Sequence, residues 1–321
     1  EYKSYTDPAL FYRDYQAANL IKKAEFLDAG IDRRLAAVTQ FLKVEEDCRL
    51  ANARIFDFMR YGSHSVTDGR FESVNRVTTV ARDLIRRILG DKPEVGAFRF
   101  GPGSTSLVSG VVTLPKKYAH EVHVTSELYS YWRDVCGPVW ASTVKNVDII
   151  TGSTVSFVPK NAKTDRTICI EPHVNIYAQL GIGASMRQAF KPWIDLTVGQ
   201  ERNRHLASVA GELGLATIDF ESASDSVCRA LIWLLLPERW AILLDRVRSH
   251  RCLLDEAELR LEKHSSMGNG YTFELESIIF YSLAVAATLL TSSGRSLYVS
   301  AYGDDVILPQ ESADLFMEVS E

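Results

Sequence analysis

The sequence predicts an α+β fold, and three observations carry that expectation. Long stretches of the first half place apolar residues at three- and four-residue spacing with charges between them, the period of amphipathic helices. Short β-rich runs, Val155 to Pro159 and Leu215 to Phe220, stand among predicted helices in the second half. Near the end, two apolar runs, Leu297 to Tyr302 and Val306 to Leu308, flank Gly303-Asp304-Asp305. They read as a β-hairpin, because Gly and Asp tolerate the positive φ that a tight primed turn requires.

The chain has 321 residues, 46% of them hydrophobic, enough for one large domain or two intimate subdomains. A net charge of -5 argues against a basic nucleic-acid coat. It leaves room for an enzyme that holds nucleic acid in an internal channel, where local charge matters more than the total. Cys48, Cys136, Cys169, Cys228 and Cys252 show no Cys-x-x-Cys spacing, so neither a zinc site nor a disulfide framework is implied, and a reducing setting fits. Glu1-Tyr2-Lys3-Ser4 contains no apolar signal region and no Met, so the sequence reads as a fragment or processed product. The longest apolar run, Ile278 to Leu290, is too short to span a bilayer.

Taken in order, Ala17 to Phe26 and Arg33 to Ile55 read as helices, followed by a polar stretch from Tyr61 to Gly69. Another helix runs from Val74 to Leu89 and stops at Gly90-Asp91-Lys92-Pro93. Phe98 to Ser106 is rich in Gly and hydroxyls, but lacks the spacing and lysine of a phosphate loop and reads as an ordinary loop. The aromatic stretch Tyr129 to Trp140 suits core packing better than base stacking.

Val155 to Pro159 reads as a strand leading into a basic segment, Lys160 to Arg166. Lys160 and Arg166 are an even number apart and share a face if the segment is extended, with Lys163 joining across a bend. Three converging cations suit a triphosphate; a solvated basic loop is the alternative. A helix from Val174 to Phe190 follows, and Arg187, Lys191, Arg202 and Arg204 add positive charge.

Leu215 to Phe220 is a buried-type strand that carries Asp219 near its end, and an acid there calls for a cation. A helix cap is the plainer role, but Ser224 or Asp225 fills it for the predicted helix Ser226 to Leu236. Glu238 to Val247 forms the next helix, and Arg251 to His264 a charged, peripheral hairpin or loop. In Ser265 to Gly270, two glycines allow close approach of a ligand to the backbone. The helix Thr272 to Leu290 carries Glu274 and Glu276 near its N-terminus, where a capping role is sufficient. Ser312-Ala313-Asp314 starts a last helix that stops at Glu321.

Alone, Asp304 and Asp305 read either as a solvated acidic turn or as ligands of a divalent cation that relieves their repulsion. Order favours the second. A basic loop, an acid ending a strand, a Gly/Ser loop opening a helix and a two-acid hairpin are the parts nucleotidyl transfer needs.

At this point the sequence resembles a known family, the RNA-directed RNA polymerases of positive-strand RNA bacteriophages, the Qβ-like replicase catalytic subunits. Val158 to Arg166 looks like motif F, Thr217 to Ser226 like motif A, Ser265 to Ser277 like motif B, and Tyr302 to Asp305 like motif C. The match is good from about residue 155 to 310 and weaker before it.

The resemblance implies a right-hand polymerase whose antiparallel palm sheet is backed by helices. Residues 1–154 would form a mainly helical N-terminal and fingers region, 155–210 the fingers with motif F, and 211–321 the palm with motifs A, B and C. It implies RNA-templated RNA synthesis in phage genome replication, with Asp219, Asp304 and Asp305 as catalytic, metal-holding residues for two Mg2+ ions, or Mn2+ in their place. Lys160, Lys163 and Arg166 would bind the incoming nucleotide, with Asp225, Ser266, Gly268, Asn269 and Glu276 around its sugar. Implied partners are RNA template and product, NTPs and host elongation factors Tu and Ts, in the bacterial cytoplasm with no membrane. Glu276 departs from the Asn that many viral polymerases carry four residues after Thr272, and the chain ends at Glu321, before the thumb. A reverse transcriptase-like polymerase and a non-catalytic RNA-binding fragment are the other readings. The first usually lacks a Gly before its Asp pair; the second does not need the three aspartates to meet.

Overall fold

The computed structural model describes residues 7–24, 26–27, 29–62, 71–110, 113–291 and 298–320. Glu1 to Ser4, Leu297, Glu321 and most of the polar stretch after Gly62 lie outside the described residues.

Three helices open the chain: α1 (Pro8–Lys23), α2 (Arg33–Tyr61) and α3 (Phe71–Leu89). Asp7 caps α1 by accepting from the amide of Ala9 at 2.8 Å, and Pro8 at the first turn needs no hydrogen-bond partner for its nitrogen, so α1 starts well before Ala17 and ends before Phe26. Asp32 caps α2 in the same way at 2.9 Å, and Gly62, at φ 57°, closes it, six residues beyond Ile55 at Tyr61.

A mixed segment follows: α4 (Leu114–Lys117), β1 (Glu121–Val124), α5 (Ser126–Tyr129), α6 (Trp132–Ala141) and β2 (Asn146–Ile149), with β1 and β2 paired in parallel. Trp140 is buried among Phe100, Tyr118, His173 and Tyr177, at centroid distances of 5.1 to 5.8 Å. The Gly-rich segment is closed rather than open to ligand, because the buried Lys117 donates to the carbonyls of Gly101 and Gly103.

The remaining elements are β3 (Ser153–Pro159), β4 (Asp165–Ile170), α7 (His173–Phe190), α8 (Gly199–Ser208), α9 (Ala210–Leu213) and β5 (Leu215–Ile218). Then come α10 (Ala223–Ser226), α11 (Arg229–Leu235), α12 (Glu238–Val247), β6 (Arg251–Leu254), β7 (Ala257–Arg260) and α13 (Thr272–Thr291). β8 (Ser300–Tyr302), β9 (Asp305–Pro309), a 3-10 turn (Gln310–Ser312) and α14 (Ala313–Ser320) finish the chain. The helix expected from Ser226 to Leu236 is split in two. Val227 is extended, and Cys228 pairs with Lys263 in an isolated bridge.

Two larger sheets result. One is antiparallel, in the order β5-β9-β8, and α13 and α8 pack against it. The other runs β4-β3-β6-β7 and is antiparallel except at β3-β6. The core centres on α13. Ala284, Ala286 and Ala287 are fully buried, and such small side chains let α3 come close with its own buried Val77, Ala81 and Ile85. Each Leu or Ile so buried contributes about 1.5–3 kcal/mol.

The run Ile278 to Leu290 understates α13. Within this 20-residue helix an 18-residue window reaches a mean hydropathy of 1.6, which by length and composition is enough to cross a membrane. Of that window, 78% is buried inside the protein, so its apolarity is explained by core packing.

Candidate active site

The site grows from the β8–β9 hairpin. Tyr302 pairs with Asp305, leaving Gly303 and Asp304 as a two-residue turn. Gly303 takes φ 62°, the conformation a primed turn asks of glycine. A Cβ here would lie 3.0 Å from both Glu276 Oε1 and Phe273 Cε2, so the turn is also seated tightly on α13. The Gly303 amide donates to Ser277 Oγ at 2.8 Å. From the other side Asn203 on α8 donates to the carbonyl of Asp305 at 2.7 Å.

β5 runs antiparallel to β9 with Ile218 opposite Val306, which brings Asp219, the next residue, beside the turn. The charge of Asp219 acts on both Asp304 and Asp305. Burial, and then the charge of Asp219, raise the pKa of Asp304 above the usual carboxylate value. Burial, then Asp304 and Asp219, raise that of Asp305. Asp219 and Asp305 also edge a groove of about 330 Å³ whose other wall includes Gln200, Asn203 and Arg204 of α8.

The charges of Lys160 and Arg166 lower the pKa of Asp304, opposing the rise from burial and Asp219. They do not lie along one extended segment. Pro159 pairs with Asp165, so the segment is a β-hairpin, with Lys160 just past β3 and Arg166 on β4. Asn161 closes the turn, its Oδ1 accepting from the amides of Lys163 and Thr164 at 2.8 and 3.0 Å. Lys163 stands exposed at the tip and is not among the charges acting on Asp304.

The loop from Ser265 to Gly270 lies between β4 and α7. Met267 O accepts from Cys169 N at 2.8 Å. A Cβ on Gly268 (φ 110°) would fall 2.2 Å from Cys169 O, and one on Gly270 would fall 2.7 Å from Leu180 N. These glycines therefore serve a close approach between protein backbones. Ser266 is buried, its carbonyl accepting from Asn269 N and Thr272 Oγ1 at 3.0 and 2.9 Å. Asn269 Oδ1 accepts from Tyr271 N at 3.1 Å, just before α13.

Neither glutamate of α13 caps it. Glu274 pairs with Arg187 at 2.6 Å, tying α13 to α7. Glu276 accepts from Ser224 Oγ at 2.8 Å, and burial pushes its pKa up to about 8, with Asp304 and Asp225 adding to the rise. Ser224 and Asp225 are not caps either. They lie inside α10, whose cap position is Ser222 at φ 59°, and Asp225 pairs with Lys263 at 2.9 Å.

Lys263 and Asn203 were not singled out in the sequence. Lys263 ends a charged segment expected to be peripheral. Only Arg251 to Arg260 forms that hairpin, while Lys263 and His264 are buried. No local signal separates them from the charged residues just before. Elsewhere, Glu121, His123 and Asp148 bring ligand-type atoms within 4.8 Å on the β1–β2 pair. His123 Nδ1 already meets Ser106 Oγ at 3.0 Å, and Asp148 accepts from Asn146 at 2.9 Å.

A model of the family "RNA replicase, beta-chain" matches residues 3–321, and the chain belongs to that family. The RNA-directed RNA polymerase subunit beta of Enterobacteria phage SP is 38% identical over 97% of this chain and 54% of its own length. That of Escherichia virus Qbeta is 37% identical over 97% and 53%. The RNA-directed RNA polymerase beta chain of Escherichia phage MS2 is 40% identical over 63% and 38%. The chain thus spans about half the length of the SP and Qbeta relatives. Among solved structures, the RNA-dependent RNA polymerase of a human picobirnavirus aligns over 52% of this chain and 38% of its own, at 18% identity and a TM-score of 0.37.

Proposed function

We propose that this chain forms the catalytic part of an RNA-directed RNA polymerase that copies an RNA phage genome inside the infected bacterium. The observation that carries the reading is the strand register that sets Asp219 next to the turn of Asp304 and Asp305, with the charges of Lys160 and Arg166 acting on Asp304. Asp304 and Asp305, whose pKa values burial and the neighbouring Asp219 raise, form with it a centre short of positive charge, and hard oxygen donors suit Mg2+, or Mn2+ in its place. Two such ions, when bound, neutralise charge on the triphosphate and lower the pKa of the attacking 3′-hydroxyl.

The chain's own residues do the rest. Asp219, Asp304 and Asp305 would hold the metals. Lys160 and Arg166, with Lys163 at the hairpin tip, bind and orient the triphosphate. Asp225 recognises the ribose 2′-hydroxyl, with Ser266, Gly268 and Asn269 shaping the neighbouring loop. Glu276 acts through the turn it supports. In the right-hand arrangement, residues 1–154 and 155–210 are the helical and motif F parts of the fingers. Residues 211–321 are the palm, its β5-β9-β8 sheet backed by α13.

The name "subunit beta" carried by the SP and Qbeta relatives suits a chain that works in a complex, for which elongation factors Tu and Ts are the candidate host partners. The test is template-directed incorporation by the full-length protein with ribonucleotides against deoxyribonucleotides. Preferential ribonucleotide addition on an RNA template is expected. Preference for deoxyribonucleotides would move the reading to a reverse transcriptase, and no incorporation of either to an RNA-binding role.

A further inference from the structure

Behind Asp225 lies a charge with no access to solvent. The Lys263 side chain is completely buried, with its Nζ 2.9 Å from Asp225 Oδ1 and 3.4 Å from Glu45 Oε1 on α2. It also lies 3.8 Å from the centre of the Phe41 ring, in cation–π range. A buried ammonium is retained only when carboxylates compensate its lost hydration. Burial alone would lower the pKa of Lys263, and the nearby acidic groups, Asp225 first, outweigh burial and raise it.

The backbone around this triad is fastened on several sides. Cys228 pairs with Lys263, and His264 N donates to Val227 O at 2.7 Å. Glu45 Oε2 accepts from Glu262 N at 2.6 Å. Asn52, also on α2, donates to Glu262 O at 2.8 Å and accepts from Ala230 N at 2.8 Å. Cys48 Sγ faces the carbonyls of Asp225 and Ser226, each at 3.6 Å. One face of α2 thus grips both the α10 turn and the Lys263 backbone. The Asp225 side chain keeps 18% of its surface exposed, while Lys263 holds its Oδ1.

We propose that Glu45 and Lys263 are positioning residues for Asp225. Glu45 holds Lys263, Lys263 binds one carboxylate oxygen of Asp225, and the other oxygen is thereby aimed at the sugar of the incoming nucleotide. The inference rests on the polymerase reading of Asp225. It makes α2, far away in sequence, part of the apparatus that tells ribose from deoxyribose. A buried pair sets the carboxylate rotamer without competing for the ligand, whereas an exposed partner would be exchanged for water.

The experiment compares Lys263→Met, Glu45→Gln and Asp225→Asn in the full-length protein, measuring kcat/KM for ATP and dATP separately. A positioning role confines the loss to ATP, because dATP has no 2′-hydroxyl to be read. Lys263→Met is expected to lower the ATP/dATP ratio about tenfold or more, with dATP use close to wild type. It should add nothing further in the Asp225→Asn background, as residues acting through one contact are non-additive. Equal losses for both nucleotides, or full additivity with Asp225→Asn, would overturn the proposal. If Lys263→Met does not fold, Glu45→Gln decides: a smaller loss confined to ATP supports the proposal, and a wild-type ratio rejects it. An unchanged ratio in Asp225→Asn alone would instead remove the reading of Asp225 on which the proposal rests.

Discussion

Ser224 donates its hydroxyl to Glu276 at 2.8 Å, linking the α10 turn after Asp219 to the helix that carries the Gly303 turn. Glu276 Oε1 lies where a Cβ on Gly303 would be only 3.0 Å away. The two acidic segments of the site are therefore held in register by one buried carboxyl.

That carboxyl makes stability depend on pH. Its pKa is about 8 in the folded protein, above its ordinary value of 4.5. The folded state keeps a proton that the unfolded state gives up, so this contribution is complete below pH 4.5 and is lost as pH rises through about 8. Glu276→Gln should flatten the fall in melting temperature between those limits, with Ser224 still able to donate to the amide oxygen. A variant whose melting curve tracks wild type across the range would contradict the assignment. Thermal melts at several pH values, without divalent cations, make the comparison.

Gly303→Ala should destabilise the protein by about 1–2 kcal/mol from the positive φ alone, with a further cost from the contacts to Glu276 and Phe273. Urea unfolding measures it. The same variant should lose activity, because the displaced turn carries Asp304.

Gly183→Ala probes the seat of the 265–270 loop. Its Cβ would meet Gly270 O at 2.5 Å, a clash with backbone that no rotamer relieves. A loss of about 1–3 kcal/mol is expected, with retention of the far-UV spectrum. A neutral result would mean that α7 and the loop are not packed backbone to backbone.

Asp304→Asn should leave the fold intact, since the charge it removes is repelled by Asp219 and disfavoured by burial. Melting without metal should be unchanged or slightly higher, while Mn2+ binding followed by electron paramagnetic resonance weakens markedly. Undiminished Mn2+ affinity would remove Asp304 from the metal site.

The local parts of the site were legible in the sequence because their signals are local. Gly303 with two aspartates between apolar runs specifies a turn, and Asp219 at the end of a short apolar strand marks an unusual acid. The bend after Lys160 was legible too, since Asn161 favours a turn, but that the segment is a β-hairpin was not, because the pairing of Pro159 with Asp165 is not a local signal. Glu276 and Asp225 were read through their own neighbourhoods, yet their partners, Ser224 and Lys263, lie 52 and 38 residues away. Long-range pairs of this kind leave no periodicity. The glycines at 268 and 270 carried a correct message, close approach, without saying that the neighbour is the chain itself.

The most direct test of the central claim is metal-dependent RNA synthesis by the full-length protein on an RNA template, alongside Asp219→Ala. The account predicts extension that requires Mg2+ or Mn2+ in the wild type and falls to background in a folded Asp219→Ala variant. Extension that persists in that variant, or none from folded wild type supplied with host factors, would contradict it.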